Sequence, residues 1–431
     1  MYRFLLPLSL TAVVLPVAAQ HVAVPGHSAV LPAAAGQPTR LIEGGGPLTL
    51  STALRMAMDA NSELSAARYE LQAVEATVLQ AGALPNPALE MSVEDRRRET
   101  RETTFLLNQP IELGGKRSAR LTAAERGKDA AAAEFQAKRA EVRAAVIAAF
   151  FDVLVAQERM RLAEESAKLA QRGTDAAARR VTAGKVSPVE ETKARVAESS
   201  VRLELSQARM ELAAARKRLA STWGNPAPQF ERADGRLDAL PELPAMKDLS
   251  GRVASAPAML RARSELDRRQ ALAQLESSRR IPDVTVSLGV KRSEELGRNQ
   301  AIVGVSIPLP LFDTNRGNVL EALRRTDKAR DELSATEIRL DGEIAQAYER
   351  LNIAREEAEA LQKEILPGAQ SAYEAATKGF EYGKFNFLDV LDAQRTLLQA
   401  QSQYLRTLSE AHRAAADIDR ILGESLSATK Q

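Results

Sequence analysis

The chain has 431 residues, and its 59 basic and 57 acidic side chains leave a formal charge of only +2, so no overall field favours a nucleic-acid partner. It contains no cysteine, which excludes disulfides and lipid attachment through a cysteine. Beyond the N-terminal stretch no segment approaches about 18 consecutive apolar residues, so the sequence predicts no transmembrane helix.

The N-terminus predicts an export signal over residues 1–19. A basic residue, Arg3, precedes an uncharged and mostly apolar run, and Val17-Ala18-Ala19 forms a small-residue cleavage site. Residues 20–47 are rich in Ala, Pro, Gly and Val and show neither helix nor strand periodicity. We therefore expect them to form a flexible leader.

The rest of the chain is a tandem duplication. Pro282 repeats Pro85 at an offset of 197 residues, and Gly383 repeats Gly184 at an offset of 199. A period near 200 indicates two pseudo-symmetric units rather than a solenoid of short repeats. The predicted ranges are repeat 1 at 48–224, a linker at 225–248, repeat 2 at 249–423 and a tail at 424–431.

Each repeat contains two segments with strand periodicity. From Asp283 to Lys291 apolar and polar residues alternate without interruption, and a second alternating run ends at Ile307. Each run is about ten residues long, which suits a tilted membrane strand. The prolines fall at the ends away from the hairpin tips, where they interrupt no ladder. The predicted hairpins span 86–112 and 282–310.

Four strands with an apolar face cannot close a barrel alone. Unpaired backbone groups in lipid each cost several kcal/mol, and closed membrane barrels begin at about eight strands. Two, three or four copies of the chain would give about eight, twelve or sixteen strands. The alternating pattern does not determine the number of copies. The alternative is a pair of soluble hairpins that cover a helical core.

A long helix follows each hairpin. Residues 118–182 and 317–382 share a heptad seam of mostly small residues, which in repeat 2 runs on through Leu361, Ile365 and Gly368. Pro367 is the expected kink. A helix of about 65 residues spans roughly 100 Å at 1.5 Å per residue.

Shorter helices complete each repeat. Tip turns at 183–187 and 383–385 lead into return helices at 188–222 and 386–422, which are about half as long as their partners. One further helix at the start of each repeat, stacked end to end on a return helix, would restore the full length. An isolated coiled-coil rod would carry the same heptads and remains the alternative.

The stretch from Tyr382 to Arg395 reads YGKFNFLDVLDAQR. It is similar to the periplasmic tip of the TolC-like outer-membrane factors, and the resemblance to this family covers about Leu48 to Gly423. In repeat 1, Gly184-Lys185-Val186-Ser187-Pro188-Val189-Glu190 occupies the same place. The stretch from Asn108 to Arg117 is similar to the subgroup that serves cobalt-zinc-cadmium heavy-metal exporters.

The resemblance implies a mainly α fold with a small β membrane part. Tandem-duplicated long α-helical hairpins would form a periplasmic helical barrel, and four strands per chain would join a shared 12-stranded outer-membrane β-barrel in a homotrimer. The implied partners are a periplasmic adaptor, an inner-membrane pump of the RND type and outer-membrane lipid. The implied function is an exit duct for divalent heavy-metal cations, with drugs or secreted proteins as alternative cargo, and 225–248 would belong to an equatorial belt.

The resemblance also assigns site residues. Asp389 and Asp392 map onto the aspartates that ring the closed aperture, and Glu190 takes the place of Asp389 in repeat 1. Residues three apart share one helical face, so three copies would stack carboxylate rings that attract cations. Alternatively these carboxylates only stabilise helix starts. The residues expected to form the tip turns and contact the adaptor are Gly184, Lys185, Gly383 and Lys384.

No catalytic, cofactor or metal site is predicted. His21 and His27 lie in the leader, His412 stands alone on a helix, and no Gly-rich loop could cradle a phosphate. The sequence therefore predicts that the protein is not an enzyme. The alternative function from another class is a periplasmic coiled-coil scaffold.

Overall fold

The computed structural model describes residues 42–385 and 387–423. The predicted signal peptide, residues 20–41 of the predicted leader and the predicted tail at 424–431 lie outside the described residues. None of the helices in the described part of the chain is both long enough and apolar enough to cross a membrane.

The two repeats have the same order of elements. Repeat 1 contains β1 (Leu48–Thr49), α1 (Leu50–Ala60), α2 (Ser62–Gly82), β2 (Ala88–Glu94), β3 (Glu102–Ile111), α3 (Lys116–Thr182) and α4 (Pro188–Ser221). A short strand, β4 (Ala233–Asp234), follows and pairs in parallel with β1. Repeat 2 contains α5 (Met246–Arg252), a 3-10 turn (Val253–Ser255), α6 (Pro257–Ser278), β5 (Val284–Ser293), β6 (Arg298–Ser306), α7 (Arg316–Ala360), a π turn (Leu361–Ile365), α8 (Leu366–Glu381) and α9 (Phe387–Leu422).

The two hairpins form one antiparallel sheet in the order β2-β3-β5-β6. The register aligns apolar side chains in rows across all four strands, such as Leu89, Leu107, Leu288 and Val303. On the opposite face a row of Ser92, Thr104, Lys291 and Gln300 is polar. One face of the sheet is therefore an apolar band and the other is mostly polar. Within the described residues, β2 and β6 are edge strands with one neighbour each.

The helices form four columns below the sheet. α3 is one continuous column of 67 residues, about 100 Å long at 1.5 Å per residue. α4 and α2 form a second column, because Asn61 Nδ2 at the start of α2 donates to the carbonyl of Thr222 at 2.8 Å. α9 and α6 form a third, in which Gly423 lies against Pro257. The fourth is α7 with α8, and the order across the chain is α4/α2, α3, α9/α6, α7/α8.

The helix at the start of each repeat is broken in two, where the periodicity predicts a single helix. In repeat 1 the break is Asn61, which has extended backbone angles and whose side chain accepts from the Leu64 amide at 2.9 Å as the N-cap of α2. In repeat 2 the break falls at Ala256, and Pro257 begins α6 in the first-turn position that proline favours. A capping asparagine in repeat 1 and a first-turn proline in repeat 2 therefore override a continuous apolar pattern.

The second long helix is interrupted by a π turn, where the sequence predicts a kink at Pro367. Proline lacks an amide proton and collides with the carbonyl four residues back, and the wider π turn just before it relieves that conflict. The turn absorbs one extra residue, so the seam shifts by one position. Ile365 and Gly368, predicted to line the seam, are exposed. Ala369 and Ala376 are buried in their place.

Two apolar clusters form the core where the columns join. The first contains Phe150, Leu219 and Trp223. The second contains Ile344, Leu351 and Ile418, which correspond to Val146, Val153 and Leu219 of the first cluster. Their largest side chains are fully buried, at 0 or 1% exposure. The duplicated seam therefore produces a duplicated core.

The end of the predicted leader packs against the predicted linker. Glu43, in the predicted leader, is buried and accepts from Trp223 Nε1 at 3.1 Å, Asn225 Nδ2 at 2.7 Å and the Gln229 amide at 2.7 Å. The end of the predicted linker is helical, since α5 begins at Met246. A buried carboxylate surrounded by donors thus fixes residues 42–49 against the segment between the repeats.

Candidate functional site

The two tip turns have the same backbone geometry. Gly184 and Gly383 have positive φ angles of 71° and 74°, which a residue with a Cβ adopts only at a cost. The amide of each following residue donates to the carbonyl five residues back, which is the hydrogen bond of a Schellman motif. These bonds run from Lys185 to Arg180 at 2.9 Å and from Lys384 to Gly379 at 2.8 Å.

The return helices start with acidic first turns. Ser187 is the N-cap of α4, its hydroxyl accepts from the Val189 amide at 3.3 Å, and Pro188 takes the first helical position. Glu190 lies in the first turn of α4, as Asp389 does in α9. These carboxylates complement the positive ends of the helix dipoles.

A small cluster joins the four helix ends at the tip. Ala177 of α3, Ala194 of α4, Phe380 of α8 and Leu391 of α9 pack together. The guanidinium carbon of Arg180 lies 4.3 Å from the centre of the Phe380 ring, which is cation–π geometry. This contact ties the end of α3 to the end of α8, and the residue pattern does not predict it.

The predicted aperture residues divide into two kinds. Asp389 and Asp392 are exposed and lie three residues apart at the start of α9, on one helical face. Glu190 is partly buried, and its Oε1 lies 3.8 Å from Lys193 Nζ. A lysine therefore offsets the charge of the repeat 1 carboxylate.

The predicted contact residues form the exposed end of the molecule. Gly184, Lys185, Gly383 and Lys384 are all exposed. The two glycines reverse the chain direction, and the two lysines follow directly after them. This end of the four columns thus presents two matching turns, each with one basic side chain.

Sequence reasoning missed a polar groove above the tip. It has a volume of about 1410 Å³ and runs between α4, α3, α9 and α7. Arg159 in the groove pairs with Glu211 at 2.6 Å, and Arg350 pairs with Asp417 at 2.8 Å. The sequence signal was present in α9, where polar residues recur three or four apart opposite the apolar seam. They are Gln399, Ser402, Gln403 and Arg406.

His412 is part of the packing, although it stands alone in the sequence pattern. Its ring stacks on Phe151 with centroids 3.6 Å apart, and its Nε2 lies 3.0 Å from the carbonyl of Leu237. A carbonyl only accepts, so Nε2 carries the proton. Burial lowers the pKa of His412 below its ordinary value. Among the described residues, no three His, Asp or Glu side chains are grouped to hold a metal ion.

Comparison with known proteins identifies the family. A family model described as outer membrane efflux protein matches the chain twice, over residues 53–225 and 252–424. The cobalt-zinc-cadmium resistance protein CzcC of Cupriavidus metallidurans is 50% identical over 381 residues, which are 88% of this chain and 91% of that protein. The nickel and cobalt resistance protein CnrC of the same organism is 30% identical over 284 residues, 64% of this chain and 66% of that protein.

A solved structure of CusC, described in terms of transmembrane channel formation, has the same fold. Its TM-score is 0.75 at 18% identity, and the match covers 87% of this chain and 92% of that one. The predicted fold class, mainly α with a small β part and duplicated long helical hairpins, is therefore confirmed. With both repeats matched by the family model, the chain belongs to the outer membrane efflux protein family.

Proposed function

We propose that the chain is the exit duct of a tripartite efflux system for divalent heavy-metal cations. As a homotrimer it would conduct cations passively from an inner-membrane pump of the RND type and a periplasmic adaptor to the outside, with no catalytic step. The assignment of heavy-metal cations as the cargo rests on the 50% identity with a cobalt-zinc-cadmium resistance protein over 88% of the chain.

The sheet supports assembly into a shared barrel. Edge strands β2 and β6 each have one neighbour in the described residues, and an open edge in lipid leaves backbone groups unpaired. Three copies joined edge to edge would close a barrel of about twelve strands. The apolar rows would then face lipid and the polar rows would face water in the lumen.

The tip supports an aperture of carboxylates. Asp389 and Asp392 are exposed on one face at the start of α9, next to the two turns. Three copies would bring six carboxylates around the axis, where they would attract cations and repel one another. Glu190, which Lys193 offsets, would contribute less.

Ion conductance in planar bilayers tests the duct and its aperture separately. The variant carries Asp389→Asn and Asp392→Asn, which remove charge and preserve shape. The control carries Asp331→Asn and Glu337→Gln, which remove two exposed carboxylates from α7. We expect the wild type and the control to be cation-selective and the tip variant to be less so. Equal cation selectivity in the wild type, the tip variant and the control would contradict the proposed aperture. If none of the three proteins conducts ions as a trimer, the proposed duct is wrong.

Cell growth and cross-linking test the cargo and the partner. Deleting the gene for this chain should lower the tolerance of the cells to cobalt, zinc and cadmium. A deletion strain with unchanged metal tolerance and lower drug tolerance would instead favour drugs as the cargo. Because the chain has no cysteine, single cysteines at Lys185 and Lys384 can carry cross-linkers to the adaptor. We expect both to capture it, and a cysteine at Asp331 to capture none. Equal capture at all three positions would contradict adaptor docking at the tip.

A further inference from the structure

The tips of the two β-hairpins differ in charge. Residues 95–101, between β2 and β3, read DRRRETR, so four arginines and two carboxylates leave a formal charge of +2. Residues 292–298, at the turn of the second hairpin, contain two arginines and two glutamates and have no net charge. The first tip is therefore the basic one. We call Arg96, Arg97, Arg98 and Arg101 the tip arginines.

Asp95 orders the backbone of the first tip. It has a positive φ of 59°, its Oδ1 accepts from the Arg97 amide at 3.0 Å, and its Oδ2 accepts from the Thr100 hydroxyl. The Thr100 amide donates to the Arg97 carbonyl at 3.3 Å and closes the turn. Because Asp95 is occupied in this way, Glu99 is the one other carboxylate of the tip. In the part of the chain that the structure describes, no tip arginine forms an ion pair.

The neighbouring hairpin holds its own charges in local pairs. Glu102 at the start of β3 pairs with Lys291 of β5 on the polar face of the sheet. In the second tip, Glu294 Oε1 lies 3.5 Å from Arg292 Nε. The Glu294 amide also donates to the Arg101 carbonyl at 3.1 Å, so the two tips are joined through their backbones. The carboxylates of these pairs are therefore taken up by other cations than the tip arginines.

The tip arginines lie just beyond the apolar band of the sheet. Phe105 pairs with Val290 in the last row in which both central strands are apolar, and the next row on the same face pairs Thr103 with Arg292. Arg101 follows two residues beyond Thr103, so alternation places it on this same face. At about 3.4 Å per residue and a strand tilt of about 40°, Arg101 lies roughly 10 Å above Phe105. Basic side chains thus begin where the apolar band ends.

The hairpin tips point away from the helical columns. The other ends of the strands connect directly to the helices, at α2 and α3 in repeat 1 and at α6 and α7 in repeat 2. In the exit duct of the proposed function the helices reach down to the adaptor, so the tips lie at the outer surface of the membrane. The inference that follows rests on this orientation and is independent of the cargo.

We propose that the tip arginines bind phosphate groups of the glycolipid that forms the outer leaflet of the outer membrane. A guanidinium presents a planar fork of donors that matches two oxygens of one phosphate, and Arg96, Arg97 and Arg98 are exposed and free to present it. The apolar rows below them would contact the acyl chains of the same lipid. Three copies of the chain would carry twelve tip arginines, four from each, around the barrel.

Binding of a short-chain lipopolysaccharide to the detergent-purified protein tests the proposal. The probe is fluorescently labelled, and its anisotropy gives the affinity. The test variant carries Arg96→Gln, Arg97→Gln and Arg98→Gln. The control carries Arg139→Gln, Arg218→Gln and Arg263→Gln, which remove three exposed arginines of the helices. We expect the affinity of the test variant to fall at least about tenfold and that of the control to match the wild type.

Two further probes identify the recognised group in the wild type alone. The same glycolipid with its phosphates removed should bind at least about tenfold more weakly than the intact one. Inorganic phosphate, added at the phosphate concentration of the glycolipid, should displace little of it. Equal affinity for the intact and the dephosphorylated glycolipid would overturn the proposal. Complete displacement by inorganic phosphate would show a site for free anions and would overturn it as well.

The variants and the salt dependence give the remaining outcomes. Equal affinities of the test variant and the control would contradict a role for the tip arginines. Raising the salt concentration should weaken binding to the wild type, because salt screens exposed charges, and should affect the test variant less. Binding that is insensitive to salt would contradict recognition by charge.

These measurements are separate from ion conductance. A protein that conducts cations but binds the glycolipid without using its tip arginines would overturn this inference and leave the duct intact. A protein that binds the glycolipid through them and conducts no ions would contradict the duct and support the inference.

Discussion

The carboxylate of Glu43 should control how residues 42–49 attach to the rest of the molecule. It is 5% exposed and accepts three hydrogen bonds from Trp223, Asn225 and the Gln229 amide. Hydrogen bonds to a charged group contribute roughly 1.5–3 kcal/mol each, and buried donors left unpaired lose a similar amount. Three such bonds would sum to about 4.5–9 kcal/mol, but bonds to one carboxylate are not additive, so Glu43→Ala should destabilise the attachment by about 3–6 kcal/mol. Glu43→Gln, which keeps one acceptor oxygen, should destabilise it by about 2 kcal/mol.

The effect should be local and can be measured locally. Trp223 is the only tryptophan in the chain and is fully buried, so its fluorescence reports this contact. We expect Glu43→Ala to shift its emission to the red, and the Leu48 amide, bonded to the Arg232 carbonyl at 2.8 Å, to exchange over about a hundredfold faster. The control is Glu332→Ala, which removes an exposed pair with Lys328 worth less than about 1 kcal/mol. Equal exchange rates in the two variants would refute the reasoning.

Acid should release the same attachment. Burial alone would raise the pKa of Glu43, but the hydrogen bonds from Asn225, Gln229 and Trp223 outweigh it and hold the pKa below the ordinary 4.5. A group with a lowered folded-state pKa stabilises the fold above its unfolded pKa and loses that contribution as the pH falls through the folded value. Trp223 emission should thus stay constant from about pH 7 to 5 and shift only below the ordinary pKa. A shift near pH 6 would contradict this assignment.

Three further perturbations have defined outcomes. Gly383→Ala should destabilise the tip by about 1–2 kcal/mol in urea melts because of its positive φ, whereas Gly251→Ala, in a helix with open space around it, should stabilise by roughly 0.5–1 kcal/mol. His412 has a lowered pKa and stabilises the fold as the neutral ring, so its contribution is present above pH 6.5 and is lost as the pH falls through the lower folded value. His412→Phe should remove that part of the acid sensitivity in urea midpoints measured from about pH 7 to 5. Deleting Lys363 from the π turn should leave trimer stability on heated gels close to wild type, unlike deletion of Lys168 from α3.

Local patterns predicted the elements, and the structure shows why they did. Alternation located all four strands of the sheet because one face is apolar and the other polar along each strand. The glycine at each tip predicted a turn because a positive φ there disfavours any residue with a Cβ. The aperture role of Asp389 and Asp392 comes from family resemblance and stays a prediction.

Long-range contacts were not predictable from one chain's pattern. Nothing in the alternation of β3 and β5 specifies that they pair, since each already has a hairpin partner. In the sequence, Glu43 is one acidic residue in a segment without periodicity. Its partners Trp223 and Asn225 are about 180 residues away and come beside it only in the fold. Asn61 is a favourable N-cap residue, so the sequence did contain a local signal for the break. The apolar pattern continues across Asn61, and the break was therefore not predicted.

The π turn accounts for a one-residue difference between the repeats, which is why deleting Lys363 should be tolerated. Buried Ala156 corresponds to Ala354 at an offset of 198, whereas buried Ala170 corresponds to Ala369 at an offset of 199. The extra residue therefore lies between Ala354 and Ala369, where the turn is. A π turn absorbs one inserted residue as a local bulge, so both columns remain in phase at the tip. Removing an exposed residue there removes the bulge and keeps both columns in phase, and the proline conflict that the π turn relieves then returns as a kink at Pro367 alone.

In the control deletion no π turn can absorb the missing residue. α3 has no π turn at this level, so loss of Lys168 would rotate everything below it by about 100° and turn its seam away from α4. Equal loss of the trimer on deleting Lys363 and Lys168 would show that the π turn is needed for more than accommodating one residue.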